Sequence, residues 1–269
     1  MKTVILCGGK GTRIREVSDN IPKPMVPIGN YPILWHIMNL YAYYGYNDFV
    51  LCLGHLSWQI KNYFLNFKAK IGDFTLHLDK PWDIEYQNNL KMDCDWKITF
   101  AETGENAETG ARIFKIQRYV KNDDHFMMTY GDGLSDVNIR ELIKFHLSHG
   151  KVGTVTGVRP TGRFGEIEVG DHNQVLTFHE KPQTTGGRIN GGFFVFDTKR
   201  ISKYLADRES LNFERESLKQ LAQDGNLMMF PHDGFWQPMD TYREYKLLND
   251  LWKEGMMKGD VPWPGEKLG

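Results

Sequence analysis

A glycine-rich turn with cations on both flanks is the stretch whose residue types and spacing point most directly to chemistry. It reads Gly8-Gly9-Lys10-Gly11-Thr12-Arg13 and is followed by Pro22-Lys23-Pro24-Met25. Glycines let the backbone turn tightly and present bare N–H groups to an anion. Arg13 and Lys23 add side-chain charge of the kind that neutralises phosphate. Together they suit a triphosphate. Lys23 stands between two prolines that stiffen its backbone, which is equally a description of a rigid surface turn.

Two familiar phosphate loops are excluded by spacing. A Walker A loop needs Gly-Lys-Ser/Thr, and Lys10 is followed by Gly11. A dinucleotide fingerprint needs a third glycine where Ile14 stands, and no acid follows a clear second strand to hold a ribose. A dinucleotide-dependent oxidoreductase is therefore excluded. No Gly-x-Ser-x-Gly elbow offers a covalent nucleophile.

Two aspartates are candidate metal ligands. Asp132 lies in Tyr130-Gly131-Asp132-Gly133, just after an expected buried strand, where ligands of open α/β sheets bind. Asp240 lies in Pro238-Met239-Asp240-Thr241, just before an expected helix. Two carboxylates, a triphosphate and waters would satisfy Mg²⁺. The alternative is a turn residue and a helix N-cap. His146 and His149 are three apart on a helix, and the polar helix end makes them read as solvated, not as metal ligands.

The elements that must position these residues alternate. Thr3–Cys7 and Phe49–Leu53 read as buried strands, and 32–44 as a helix capped by Asn30. Ser57–Leu65 reads as the next helix, Lys97–Ala101 as a strand, 110–120 as a helix and His125–Tyr130 as a strand. The helix 137–149, with Asn138 near its start, leads to a strand at 152–158. Strands of more mixed direction follow at Glu166–Val169, Val175–His179 and 191–197, with helices at 213–222 and 242–254. This pattern predicts an α/β, Rossmann-like fold: a mixed, mostly parallel sheet flanked by helices. The polar 67–95 stretch breaks the rhythm as an insertion, with a half-buried strand at 74–79. The tail from Met256 reads as loosely packed. One domain is expected over 1–269, with 1–150 mainly nucleotide-binding and 151–255 mainly sugar-phosphate-binding.

Composition narrows the class. The 269 residues are 41% hydrophobic, enough for a sizeable core, and the net charge of −1 gives no global field to recruit nucleic acid or an anionic membrane. Phosphate binding must come from locally placed cations. Cys7, Cys52 and Cys94 are well separated, with no disulfide framework and no metal-type pair. No segment has the apolar length to span a bilayer, and the first apolar run is too short for a signal peptide. The expectation is a soluble, cytoplasmic protein.

The glycine turn with Lys-Pro-Met resembles the signature of the sugar-1-phosphate nucleotidyltransferases. The resemblance continues through Thr129-Tyr130-Gly131-Asp132-Gly133, Phe178-His179-Glu180-Lys181-Pro182, Asn190-Gly191-Gly192-Phe193-Phe194 and Trp236-Gln237-Pro238-Met239-Asp240-Thr241. In that order these blocks cover nearly the whole chain. Pro32-Ile33-Leu34-Trp35-His36-Ile37-Met38 and Glu102-Thr103-Gly104-Glu105-Asn106, with Arg112, are similar to the cytidylyltransferase branch acting on glucose 1-phosphate.

The resemblance implies a nucleotide-diphospho-sugar transferase fold with a small sugar-binding β layer. It implies CTP and a sugar 1-phosphate as substrates, Mg²⁺ as cofactor, CDP-glucose and pyrophosphate as products, and a homo-oligomer. CDP-glucose of this kind feeds dideoxysugars of bacterial lipopolysaccharide O-antigen. Asp132 and Asp240 become the metal ligands, and Arg13 meets the leaving pyrophosphate. Leu6, Cys7, Gly8, Gly9, Lys10, Gly11, Thr12, Thr109, Arg112 and Gly131 hold the nucleotide, with backbone groups of Leu6–Lys10 and Arg112 reading the cytosine edge. Lys23 and Lys181 contact phosphate near the reacting centre, Glu180 takes sugar hydroxyls and Asn190 bonds another. From residues alone, Glu180-Lys181-Pro182 equally suits an exposed strand end, and Asn190-Gly191-Gly192 a bulge. Ala107 and Ala111 depart from the branch pattern, so the hydroxyl contact at 107 is absent. The loop 159–165 reads as sugar-side lining or a plain hairpin turn. A non-catalytic sensor on the same scaffold need not keep both carboxylates.

Overall fold

The computed structural model describes all residues except 12–19, 82, 88–93, 161–165, 170–173, 180–186 and 266–269. The strands, in chain order, are β1 (Thr3–Leu6), β2 (Pro27–Ile28), β3 (Tyr31–Pro32), β4 (Asp48–Leu53), β5 (Phe74–Leu76), β6 (Ile84–Tyr86), β7 (Lys97–Glu102) and β8 (His125–Tyr130). They continue as β9 (Gly133–Ser135), β10 (Gly153–Val158), β11 (Glu166–Val169), β12 (Val175–His179), β13 (Ile189–Asp197), β14 (Leu227–His232) and β15 (Trp236–Pro238).

Seven strands form one sheet in the order β14-β10-β13-β8-β1-β4-β7. All neighbours are parallel except β13, which runs antiparallel to both β8 and β10. β1 lies inside the sheet, with Leu6 opposite Cys52 on one side and Tyr130 on the other, so three strand ends meet beside the glycine turn.

Burial on both faces explains why the strand sequences are almost continuously apolar. Ile5, Leu51, Met127 and Val195 face one core, shared with the Ile33–Tyr43, Ile139–His149 and Tyr242–Lys258 helices. Val4, Val50, Met128 and Phe196 face the other, shared with the Thr109–Val120 helix and the segment from Phe213 to Leu221.

Several sequence expectations are corrected. Asn30 does not cap the first long helix: it lies in the turn of the short β2–β3 hairpin, and Pro32 stands at the helix cap without a side-chain bond. The insertion forms a β5–β6 hairpin whose residues are mostly exposed on both faces, not half-buried. Residues 213–222 are not one α-helix: Phe213–Ser217 is a π-turn that runs into the Leu218–Gln223 α-helix. The tail is not loose through its described length, because Trp263 is buried and stacks on Trp252. β2, β3, β9, β14 and β15 are strands that the sequence pattern does not predict.

His146 is not solvated. It is 1% exposed and bonded through Nδ1 to Thr154 Oγ1 (2.9 Å) and through Nε2 to His125 (3.1 Å). A hydroxyl and a second imidazole satisfy both ring nitrogens, which lets the apolar ring edge be buried.

Candidate active site

The site is built where the glycine turn leaves β1. Cys7 N donates to Cys52 O (3.0 Å), and Gly131 N donates to Leu6 O (3.1 Å), fixing the start of the turn to the strands on either side. Beneath it lies Arg112, 4% exposed. Its guanidinium donates to the carbonyls of Leu53 (3.0 Å), Gly104 (2.9 Å) and Gly8 (2.9 Å) and to Thr103 Oγ1 (2.8 Å). A Cβ on Gly8 would come 2.1 Å from this guanidinium, so a larger residue there must push the Arg112 head off its carbonyl partners. Burial holds the Arg112 pKa below its ordinary value. The side chain nonetheless remains a cation whose donors are satisfied by carbonyl dipoles. Arg112 therefore braces two walls of the cavity, the turn and the loop 103–105.

That cavity has a volume of about 580 Å³. Leu6 through Gly11, Lys23, Thr109, Arg112, Gly131 and Asp132 line it, and Ala107 adds a methyl group to one wall. Its lining carries both signs of charge, Lys10 and Lys23 with Glu105, Glu108 and Glu214, and Lys10 Nζ donates to Asn106 Oδ1 (3.2 Å), linking the glycine turn to the loop that holds Glu105 and Glu108.

A second cavity of about 270 Å³ adjoins the first and is lined by Asn190, Gly191, Trp236 and Asp240 among others. Tyr130 and Asp132 line both. Trp236 Nε1 donates to Gly191 O (2.8 Å), tying β15 to β13 across this second space.

Lys23 sits at the junction, 8% exposed. A one-turn 3-10 helix, Lys23–Met25, aims it inward. Its Nζ donates to Asp132 Oδ2 (2.6 Å) and to Asp240 Oδ1 (2.7 Å). The two carboxylates thus lie within about twice a hydrogen-bond length of each other. Burial by itself would lower the Lys23 pKa, but the charge of Asp132 and the bonds from both carboxylates outweigh it, and the pKa is raised. Lys23 stays charged.

The carboxylates are brought together by two short strands. β9 and β15 pair antiparallel, with Gly133 opposite Pro238, and Met239 N donates to Asp132 O (2.8 Å). Asp132 and Asp240 flank that pairing. Asp240 is not the helix N-cap: Thr241 is, in a capping box with Glu244, so the Asp240 carboxylate is directed to Lys23.

Thr12, Arg13, Glu180 and Lys181 lie outside the described residues. Among the described residues no group of three or more His, Cys, Asp or Glu side chains is arranged to hold a metal. Two carboxylates are hard oxygen donors of the kind Mg²⁺ takes when phosphate and water complete its shell, so the pair present fits that ion. Sequence reasoning missed Glu214 and gave Tyr130 no role of its own. Tyr130 stood inside the quoted motif, but Glu214 carried no signal, since only the fold brings the π-turn to the cavity.

A family model described as nucleotidyl transferase matches residues 2–246. Glucose-1-phosphate cytidylyltransferase of Salmonella typhi is 44% identical over 263 residues, covering 98% of each chain. Mannose-1-phosphate guanyltransferase of Saccharomyces cerevisiae is 30% identical over 251 residues, 91% of this chain and 63% of that one. The solved structure of HddC from Yersinia pseudotuberculosis superposes with a TM-score of 0.66 at 22% identity, covering 93% of this chain and 99% of that one.

Proposed function

This chain belongs to the nucleotidyl transferase family, and we propose that it transfers the cytidylyl group of CTP to α-D-glucose 1-phosphate. CDP-glucose and pyrophosphate are the products. A sugar-phosphate oxygen attacks the α-phosphorus in line. The bond to that phosphorus forms as the α–β phosphoanhydride bond breaks, and the electron pair leaves on pyrophosphate. The 44% identity to a glucose-1-phosphate cytidylyltransferase along nearly the full length supports CTP and glucose 1-phosphate over the guanyl and mannosyl relatives.

The observation that carries the reading is Lys23, bridged to Asp132 and Asp240 where the two cavities share a wall. The difficulty of the reaction is charge, since two anions must approach and a third must leave. Alignment and electrostatic neutralisation are what a site must supply. Lys23 holds a fixed positive charge at the meeting point. The N–H groups of the glycine turn and Lys10 receive the triphosphate, Thr109 and the braced wall hold the nucleoside, and Asn190 bonds a sugar hydroxyl. Arg13 meets pyrophosphate, Lys181 the sugar phosphate and Glu180 the sugar. Asp132 and Asp240 would hold Mg²⁺, which when bound neutralises phosphate oxygens.

A homo-oligomer, with the exposed β5–β6 hairpin as a candidate contact, and a cytoplasmic location belong to the same reading. No described helix is long and apolar enough to cross a membrane.

The test is pyrophosphate release with Mg²⁺, glucose 1-phosphate and each nucleoside triphosphate in turn. CTP is expected to be fastest. Faster release with UTP or dTTP rejects the cytidylyl assignment.

A further inference from the structure

A line of hydrogen bonds runs from the nucleotide cavity to the sugar cavity, and its centre is Glu214. Thr109 Oγ1 donates to Glu214 Oε2 (2.6 Å), and Tyr130 Oη donates to Glu214 Oε1 (2.5 Å). Asn190 Nδ2 donates to Tyr130 Oη (3.3 Å), and Gly192 N donates to Asn190 Oδ1 (2.9 Å). At the other end Phe213 N donates to Thr109 Oγ1 (3.0 Å).

The direction of every bond is forced. A carboxylate only accepts, so both hydroxyls must donate to Glu214. Tyr130 Oη is then left with lone pairs alone, and only the amide nitrogen of Asn190 can face it. The backbone N–H of Gly192 independently demands the Asn190 carbonyl oxygen. The amide is therefore locked, with one N–H spent on Tyr130 and the other available to the sugar cavity as a donor.

The backbone is shaped to permit this line. Gly192 has φ +83°, and a Cβ there would come 2.6 Å from the Tyr130 ring, so glycine allows the ring its place. Glu214 sits on the π-turn Phe213–Ser217, and such turns concentrate at functional sites. Burial, and then the charge of Glu214, raise the Tyr130 pKa, so the phenol keeps the proton the line requires.

We propose that Glu214 is a positioning residue for the sugar phosphate: from the nucleotide cavity it fixes the Tyr130 hydroxyl and, through it, the hydrogen-bonding face that Asn190 offers the sugar. The assignment rests on the sugar-phosphate reading above. Glu214 lines the nucleotide cavity and not the sugar cavity, and the bond from Tyr130, which lines both, is its described link to the sugar side.

Glu214→Gln keeps the shape but can donate, which frees Tyr130 and Asn190 to reverse. The expected result is a rise in KM for glucose 1-phosphate of about fivefold, the worth of one net hydrogen bond. KM for CTP should rise by a smaller factor than KM for glucose 1-phosphate. Tyr130→Phe breaks the same line and should raise the same constant, and the double variant should be no worse than the poorer single one. Equal rises in both KM values, or additive effects in the double variant, overturn the proposal and leave a purely structural role. Should the wild-type enzyme prefer another sugar 1-phosphate, the glucose assignment fails on that control. The same ratios are then read with the preferred sugar, which still decide the role of Glu214.

Discussion

Lys23 and Arg112 are both nearly buried cations on the wall of one cavity, yet their surroundings differ. Arg112 spends its donors on the carbonyls of Leu53, Gly104 and Gly8 and on the Thr103 hydroxyl. These are fixed dipoles of strand ends and loops, and the guanidinium is part of the frame. Lys23 instead bonds two carboxylates whose side chains are 33% and 28% exposed and face the open space. A buried cation satisfied by backbone carbonyls supports a wall. One poised between partly solvated carboxylates can exchange partners when phosphate arrives.

The comparison is broken or sharpened by variants on each side. Asp132→Asn leaves the packing intact and removes charge at the junction, so kcat should fall by about 10²–10³-fold with little change in Tm. Unchanged turnover in a pyrophosphate-release assay would remove Asp132 from the mechanism. Arg112→Ala should act the opposite way. Several buried carbonyls lose their donor, costing at least about 3 kcal/mol. Thermal unfolding followed by circular dichroism should show Tm lower by roughly 8 °C or more. A stable Arg112→Ala protein with a large loss of turnover would make Arg112 a direct ligand contact instead.

His146 extends the comparison to a buried titratable group that carries no charge. Burial, and then His125 and His149, push its pKa from 6.5 down to about 4. The unfolded chain takes up a proton near 6.5, before the folded one does. Stability from this residue is therefore complete above pH 6.5 and is lost as pH falls towards 4, at about 1.4 kcal/mol per pH unit. Urea unfolding across that range should show the slope, and His146→Gln should flatten it.

The smallest effect is expected at Thr241. Thr241→Ala removes the N-cap beside Asp240 at a cost of about 1 kcal/mol. Tm should drop by roughly 2–4 °C, with turnover reduced less than in Asp132→Asn. A loss of turnover as large as that of Asp132→Asn would mean that the cap, not the carboxylate, sets the geometry at the junction.

Much of this arrangement was legible before the fold was known. The glycine turn, Lys23, Asp132 and Asp240 belong to short motifs whose residue types announce phosphate and metal chemistry. The strand–helix alternation followed from burial patterns that repeat locally. What was hidden depends on distant parts meeting. β9 and β15 are too short to leave a periodic signal, yet their pairing is what sets Asp132 beside Asp240. Glu214 reads as one acid among several on a polar helix start, and only the π-turn brings it under Tyr130. Arg112 read as a cation for the base edge, and the structure places its guanidinium on carbonyls beneath the turn. His146 read as solvated because its helix end is polar, whereas its partners Thr154 and His125 come from the sheet.

The account turns on the charge that Lys23 holds between Asp132 and Asp240. The direct measurement is kcat for pyrophosphate release from CTP and glucose 1-phosphate in Lys23→Met, with Tm recorded on the same sample. A fall of about 10²–10³-fold in a protein that still unfolds cooperatively is the expected result. A folded Lys23→Met enzyme that turns over at the wild-type rate would contradict it.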